Sequence, residues 1–470
     1  MSEDKKGKVT EQKNLFGNES SDNEVTSKNA TSRRNFLKFG VAGAGVVAAG
    51  AAGVTVARRM DGISQDSLPI QINADFKPID QRNVIHTFVY SKTLNKKHPE
   101  RIKKFDNFNF YERNNTFMKG PYRSSPGYSQ LERALAVGGF SMVTALHGAD
   151  YGLNNPDGIV SSWKQTMLAP TKYEFASAQE ASQSIKSAAK QYGAVKCGIT
   201  RRDRRFDFDP LYNIGEEREL SWERDFPFEP KTVIVLMTEM DYLAMSTAPS
   251  WIADAAVGDA YVNALKVAGQ VTFFLRQLGY KAVATMNDMG MNVPYAVAAG
   301  LGEGGRNGAV ITTGYGPRVR ISKVYTDFDF VEYDRPVKLG VASFCLHCKR
   351  CAESCPSEAI TFDGPSWAPT YSDDPDYIWH ASKGVYKFHN DAKKCFKFWI
   401  ENDGGCGNCI TSCPYNKPDF SHHRFVDVMN VIAPSQVHGF MKEMDILFGY
   451  GAVSNPAAVK KFWKKGRTKT

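Results

Sequence analysis

An α/β or α+β protein, with a layered domain of helices and strands followed by a small cysteine-rich module, is predicted by three observations. Helical and strand-like patterns alternate between about residues 176 and 326, and eight of the nine cysteines crowd into two short runs, 345–355 and 395–413. The 42% hydrophobic content of the 470 residues is enough for a sizeable core. At roughly 100–200 residues per domain, such a chain holds about two or three domains.

In chain order, residues 1–31 are rich in Lys, Glu, Asn and Ser, with too little apolar surface to offset the entropy of ordering, and are expected to be disordered. Ser32, Arg33, Arg34, Asn35, Phe36, Leu37 and Lys38 then match S/T-R-R-x-F-L-K at every fixed position, and an uncharged stretch runs from Phe39 to Ala57. This is the pattern of a twin-arginine export signal. A membrane helix is the rival reading, since about 20 apolar residues span a bilayer. Gly and Ala dominate the run and make it weakly hydrophobic, which favours the signal, with cleavage after Ala51 or Ala57. No comparable apolar run follows, so the processed chain is expected to be soluble.

Residues 176–192 combine strong helix formers with helical spacing, and "VKCGI" after them reads as a strand. "TVIVLMT" (232–238) is a second strand, about Asp254 to Leu278 a long helix stopped by Gly279, and "KAVATMN" a third strand. "PYAVAAGLG" reads as a short helix with Pro in its first turn, and "GAVITT" and "VRISKVYT" as further strands. The only internal repeat is the pair of cysteine runs.

Those runs carry the chemistry. Cys345, Cys348, Cys351 and Cys355 form C-x2-C-x2-C-x3-C-P, and Cys395, Cys406, Cys409 and Cys413 form C-x10-C-x2-C-x3-C-P. The first is the bacterial ferredoxin run, and the second keeps its last three cysteines while widening the first gap. In two-cluster ferredoxins the fourth cysteine of each run serves the other cluster. One [4Fe-4S] cluster is therefore assigned Cys345, Cys348, Cys351 and Cys413, and the other Cys355, Cys395, Cys406 and Cys409. Zinc is the rival, but C-x2-C-x2-C sets three ligands too close for a two-plus-two site. Cys197, in an apolar strand, reads as a small buried residue. Export joins these features, because the twin-arginine route carries folded proteins and a cluster must be inserted before crossing.

Other cofactors are less well supported. "GLGEGG" (300–305) follows an Ala-rich helix instead of a strand, which argues against a dinucleotide loop. No P-loop is present, and no histidine has Asp two residues before it, so the D-x-H-x-x-G cobalamin signature is absent. The net charge of +9 is scattered, and no nucleic-acid-binding motif accompanies it.

The leader, the stretch "RQLGYKAVATMNDMGMNVPYAVAAGLGEGGRNGAVITTGYGPRVRISKVYTDF" (276–328) and the two cysteine runs together resemble the catalytic subunit of respiratory reductive dehalogenases, most densely over about 255–420. The resemblance implies a nitroreductase-like corrinoid-binding and substrate domain (166–338), wrapped by an N-terminal region (58–165). A ferredoxin-like iron–sulfur domain (339–420) and a C-terminal extension (421–470) would follow, after a disordered leader and twin-arginine signal (1–57). It implies a base-off corrinoid and a halogenated organic substrate, with Tyr261 as proton donor supported by Arg320 and Asn287. Tyr242 competes for the donor role, and Trp379 and Phe388 are candidate walls of the substrate pocket. It further implies a peripheral enzyme on the outer, periplasmic face of the cytoplasmic membrane, held by a small membrane-anchor subunit. The twin-arginine translocase and a dedicated chaperone would be its export partners; a homodimer is left open, and nucleic acid is not a partner. Two alternatives stay open: an epoxyqueuosine reductase-like corrinoid enzyme, for which the leader has no use, and an exported two-cluster electron carrier without catalysis.

Overall fold

The computed structural model describes residues 62–147, 156–418 and 436–465. The leader, the twin-arginine segment and its cleavage points lie outside the described residues. From residue 59 onward the chain forms one compact unit.

The described chain opens with a two-residue strand, β1 (Ile63–Ser64), and four short helices, α1 to α4 (Ile85–Tyr90, Lys92–Lys97, Pro99–Lys103 and Phe110–Asn114). Helix α5 (Gln130–His147) follows, then α6 (Ala178–Tyr192). The Ser177 hydroxyl caps α6 by accepting from the Glu180 amide, and Gly193 ends it in the left-handed region at φ 108°. Next come β2 (Lys196–Arg201), β3 (Leu211–Asn213), β4 (Arg218–Leu220), β5 (Thr232–Glu239), α7 (Tyr242–Met245) and α8 (Trp251–Gln277). The core closes with β6 (Ala282–Thr285), α9 (Asn292–Ala298), β7 (Glu303–Gly304), β8 (Val310–Ile311), β9 (Val319–Thr326) and β10 (Val337–Lys338). The C-terminal part is helical: α10 (Val341–Cys348), α11 (Arg350–Glu353), α12 (Ala392–Asn402), α13 (Asn408–Thr411), α14 (Gln436–Leu447) and α15 (Pro456–Lys465).

The central sheet has the order β2-β5-β9-β6, antiparallel at every step, which makes the layered domain α+β. Its strands are apolar on both faces because both are covered. Val233, Val235, Met237, Val283, Ile321 and Tyr325 face one core with Phe206, Trp222 and Tyr295. Ile199, Ile234, Leu236, Ala282, Ala284 and Val324 face the other, beneath α6 and α8. Each such side chain taken out of water stabilises the fold by about 1.5–3 kcal/mol.

Three sequence expectations are corrected in extent. "GAVITT" supplies only the two residues of β8, because Gly308 and Gly314 flank it in the left-handed region (φ 77° and 82°) and turn the chain. "KAVATMN" ends as a strand at Thr285, where a turn takes over. The helix expected from Pro294 starts at Asn292 and stops at Ala298. Cys197 is half-buried instead of buried, on edge strand β2, although its thiol points inward enough for burial to push its pKa up to about 12.

Helix α8, about 40 Å long at 1.5 Å per residue, is the longest described element and packs along α5. The two backbones approach so closely that a Cβ on Gly258 would lie 2.7 Å from the Gly139 carbonyl carbon, and one on Gly139 would lie 2.7 Å from the Ala255 oxygen. Neither neighbour can move without parting the helices. Gly258→Val should therefore cost at least the ~1–3 kcal/mol of an overpacked core. The expected result is a lowered midpoint in thermal or urea unfolding; an unchanged midpoint would show that the helices can part freely.

Candidate functional site

Tyr261 projects from the third turn of α8, Asn287 from the turn after β6, and Arg320 from β9. The fold brings the three together, and all are half-buried. The Asn287 Nδ2 donates to the Tyr261 hydroxyl at 3.0 Å, and the Arg320 guanidinium carbon lies 4.8 Å from the Tyr261 ring centroid. Among the described residues the buried Arg320 Nε has no hydrogen-bond partner.

The turn carrying Asn287 is built locally. The Asp288 carboxylate accepts from the Thr285 hydroxyl at 2.6 Å and from the Met286 amide at 2.8 Å, and Met289 adopts the left-handed region (φ 67°). This short polar cage closes β6 and fixes where the next side chain points.

Two neighbours of Arg320 escaped sequence reasoning because they lie far away in the chain. His86 of α1 stacks edge-on against Phe396 at 5.1 Å, and burial, aided by Arg320, lowers its pKa to about 4, keeping it neutral. Asp254 of α8 is buried, which raises its pKa to about 6 against the pull of the Gly405 amide and Arg320. No local pattern marks either residue.

The remaining candidates sit elsewhere. Tyr242 stands beside Arg318, 5.5 Å from its ring, and not with the Tyr261 group; burial raises its pKa. Phe388 is buried under Arg306, whose guanidinium lies 4.5 Å above the ring. Trp379 packs on Phe88 at 4.7 Å beneath Arg101, in the cluster that also contains Phe396.

The eight cysteines of the two runs gather in two groups. Cys345, Cys348, Cys351 and Cys413 line one chamber, together with Gly305, Arg306, Phe344 and Tyr415. Cys395 feels Cys409, Cys406 and Cys355 as its nearest like-charged groups, and Cys351 and Cys409 face each other across the two sets. The fourth cysteine of each run has crossed to the other group, because α10–α11 and α12–α13 fold back on one another.

Burial pushes the Cys345 and Cys406 thiols up to about 12 and Cys409 to about 11, and it raises Cys348, Cys351, Cys395 and Cys413 as well. The protein alone would hold these thiols protonated. Iron would have to supply the positive charge that stabilises the thiolates, so this donor set fits thiolate-ligated clusters.

The chamber wall explains "GLGEGGRNG". A Cβ on Gly302 would meet the Ile311 oxygen at 2.2 Å, so only glycine allows β7 and β8 to pair so tightly. The hairpin delivers Arg306, 1% exposed, which donates to the carbonyls of Cys345 (2.9 Å), Thr361 (2.7 Å) and Asp363 (2.7 Å). Asn307 reaches the Cys409 carbonyl at 3.3 Å, and Glu303 accepts from the Leu339 and Val341 amides at 2.9 and 2.7 Å, which caps α10. The motif is a brace between the layered domain and the cysteine module.

The grouping predicts a spectroscopic result. Cys413→Ser should perturb the same cluster as Cys345→Ser in electron paramagnetic resonance of the reduced protein. A Cys413→Ser spectrum that instead matched Cys406→Ser would contradict the crossed grouping.

Residues 344–417 match the family model of the 4Fe-4S dicluster domain. Over 344 residues the chain is 37% identical to the tetrachloroethene reductive dehalogenase of Desulfitobacterium hafniense, an alignment covering 65% of this chain and 60% of that protein. It is 33% identical over 294 residues to the tetrachloroethene reductive dehalogenase of Sulfurospirillum multivorans, covering 58% of this chain and 57% of that protein. The chain thus spans about 60% of the length of the curated relatives it matches. Among solved structures, the catabolic reductive dehalogenase NpRdhA superposes with a TM-score of 0.66 at 19% identity, over 86% of this chain and 51% of that one. The chain is thus similar in sequence to reductive dehalogenases over about 60% of their length and shares the fold of a solved one, with a match to the 4Fe-4S dicluster domain over residues 344–417.

Proposed function

We propose that the chain is the catalytic subunit of a reductive dehalogenase of organohalide respiration, replacing a halogen of an organic substrate by hydrogen: R–X takes two electrons and one proton and leaves as R–H and halide. The observation that carries this reading is the meeting of Tyr261, Asn287 and Arg320 beside a module of eight grouped cysteines. A corrinoid would supply the low-valent cobalt that makes a carbon–halogen bond reducible, as in the B12-dependent dehalogenation named for a solved structure of this fold. The buried Arg320 Nε, a donor without a partner among the described residues, is the kind of orphaned polar group that a bound ligand would satisfy.

In this reading the chain's own residues bind, orient and move a proton. The two cysteine groups would hold [4Fe-4S] clusters, which supply single-electron transfer, and Arg320 is close enough to both Cys409 and the Tyr261 ring for its charge to be felt at each. Tyr261 gives the proton that replaces the halide. Asn287 donates to the phenolic oxygen, and the Arg320 guanidinium stabilises the phenolate left behind. We further propose export by the twin-arginine route through Ser32–Lys38, and docking on the outer face of the membrane by a small anchor subunit. Among the described residues no helix is long and apolar enough to cross a membrane.

Two experiments test this. Tyr261→Phe should keep its iron and corrinoid content yet lose turnover by about 10²–10⁴-fold. Adding Arg320→Leu should then cost far less than the product of the two separate losses. Near-normal dehalogenation by loaded Tyr261→Phe enzyme would remove the tyrosine from its role and direct attention to Tyr242. For export, changing Arg33 and Arg34 to Lys should trap the precursor in the cytoplasm, followed by fractionation and immunoblotting; normal periplasmic accumulation would refute the assigned route.

A further inference from the structure

Behind Asn287 runs a line of polar side chains that neither the sequence motifs nor the reaction uses. Lys323 of β9 is fully buried, and its ammonium donates to the Met286 carbonyl (2.7 Å), the Gly290 carbonyl (3.0 Å) and the Asn292 Oδ1. Asn292, the first residue of α9, donates through Nδ2 to the Asn287 Oδ1 at 2.9 Å and to the Ile321 carbonyl at 3.3 Å. Asn287 in turn donates to the Tyr261 oxygen at 3.0 Å.

The direction of this line is not free. An amide can be turned end for end, but an ammonium has three donors and no acceptor. Two backbone carbonyls fix two of the Lys323 donors, and in its charged form the third needs an oxygen at Asn292, even though burial lowers its pKa to about 7. The Asn292 oxygen must therefore face Lys323 and its NH2 must face Asn287. The Asn287 oxygen is then occupied, and only its NH2 is left for Tyr261.

We propose that Lys323 and Asn292 are positioning residues which force Asn287 to donate to Tyr261, so that the tyrosine's own proton stays free for the substrate. The inference deepens the proton-donor reading and rests on it. With Asn287 reversed, its carbonyl would accept the Tyr261 proton and hold it away from the reaction. The line also places donors head to tail from a buried cation to the phenolic oxygen, where negative charge develops on proton transfer.

Asn292→Asp tests this with almost no change in shape. A carboxylate cannot donate, so Asn287 should turn its NH2 toward residue 292 and its oxygen toward Tyr261, while Lys323 keeps an acceptor. In the fully loaded enzyme kcat should fall about tenfold or more with KM within about twofold, the loss expected when a reacting group is misplaced. Adding the change to Tyr261→Phe should cost less than about twofold further, since residues acting through one group are not additive. With 3-fluorotyrosine at position 261, the 19F resonance should move in Asn292→Asp and in Lys323→Met but not in Val293→Ala. Should Asn292→Asp fail to fold, Asn292→Ala is read by the same measurements. An unmoved 19F resonance overturns the proposal, and so does normal kcat in a background where Tyr261→Phe is inactive. An active Tyr261→Phe enzyme would instead defeat the proton-donor reading, and the 19F shift alone would then decide the direction of the hydrogen bonds.

Discussion

The register of β9 between β5 and β6 is the constraint on which both the core and the site depend. Arg320 stands opposite Thr238 of β5, and Lys323 stands opposite both Val235 of β5 and Thr285 of β6. Three positions apart, the two cations must point to opposite faces of the sheet. Arg320 reaches toward α8 and Tyr261, while Lys323 enters the layer beneath α9. A slip of one residue would exchange the faces, burying Arg320 where Lys323 finds its three acceptors and taking Lys323 away from them. The cost of burying an unpaired cation makes that slip prohibitive, so the apolar packing and the site enforce the same register.

Helix α8 turns this register into a site. Its contact with α5 at Gly139 and Gly258 sets its height over the sheet, and Tyr261 lies one turn beyond that contact. The same helix begins with Trp251, whose indole donates to the Asp403 carbonyl at 3.0 Å, so it also touches the segment between Cys395 and Cys406. One rigid element thereby joins Tyr261 to the cysteine module, and Arg306 on the β7–β8 hairpin braces that module from the other side.

Buried charge is handled differently in the two regions. Lys323 and Arg306 are surrounded by carbonyl or amide oxygens, which replace water as acceptors and hold the side chains in one geometry. Backbone amides reach some of the cysteine thiols, such as that of Arg306 at Cys345, but burial outweighs them and raises the thiol pKa values. The first arrangement is complete within the chain; the second needs an iron cluster to carry charge.

Much of this was legible in the chain itself. The spacing of Cys345 to Cys413, the long helix that ends before Gly279, and strands such as "VRISKVYT" follow from local rules: ligand spacing, periodicity and helix-stopping glycine. Tyr261, Asn287 and Arg320 came from resemblance and not from any pattern of their own, since each lies on a different element. Extents were misjudged where glycines or a polar cage cut a strand short, as at Gly308 and after Thr285. Asn292, Lys323, His86 and Arg306 could not be found from sequence, because an apolar strand with one lysine, or a glycine-rich loop with one arginine, reads the same whether the charge is exposed or buried. Sequence determined which elements form and which cysteines carry ligand spacing, since those depend on neighbours in the chain. Only the tertiary structure decided which side chains meet and in which direction they donate, because hydrogen bonds between distant residues depend on strand register and helix packing.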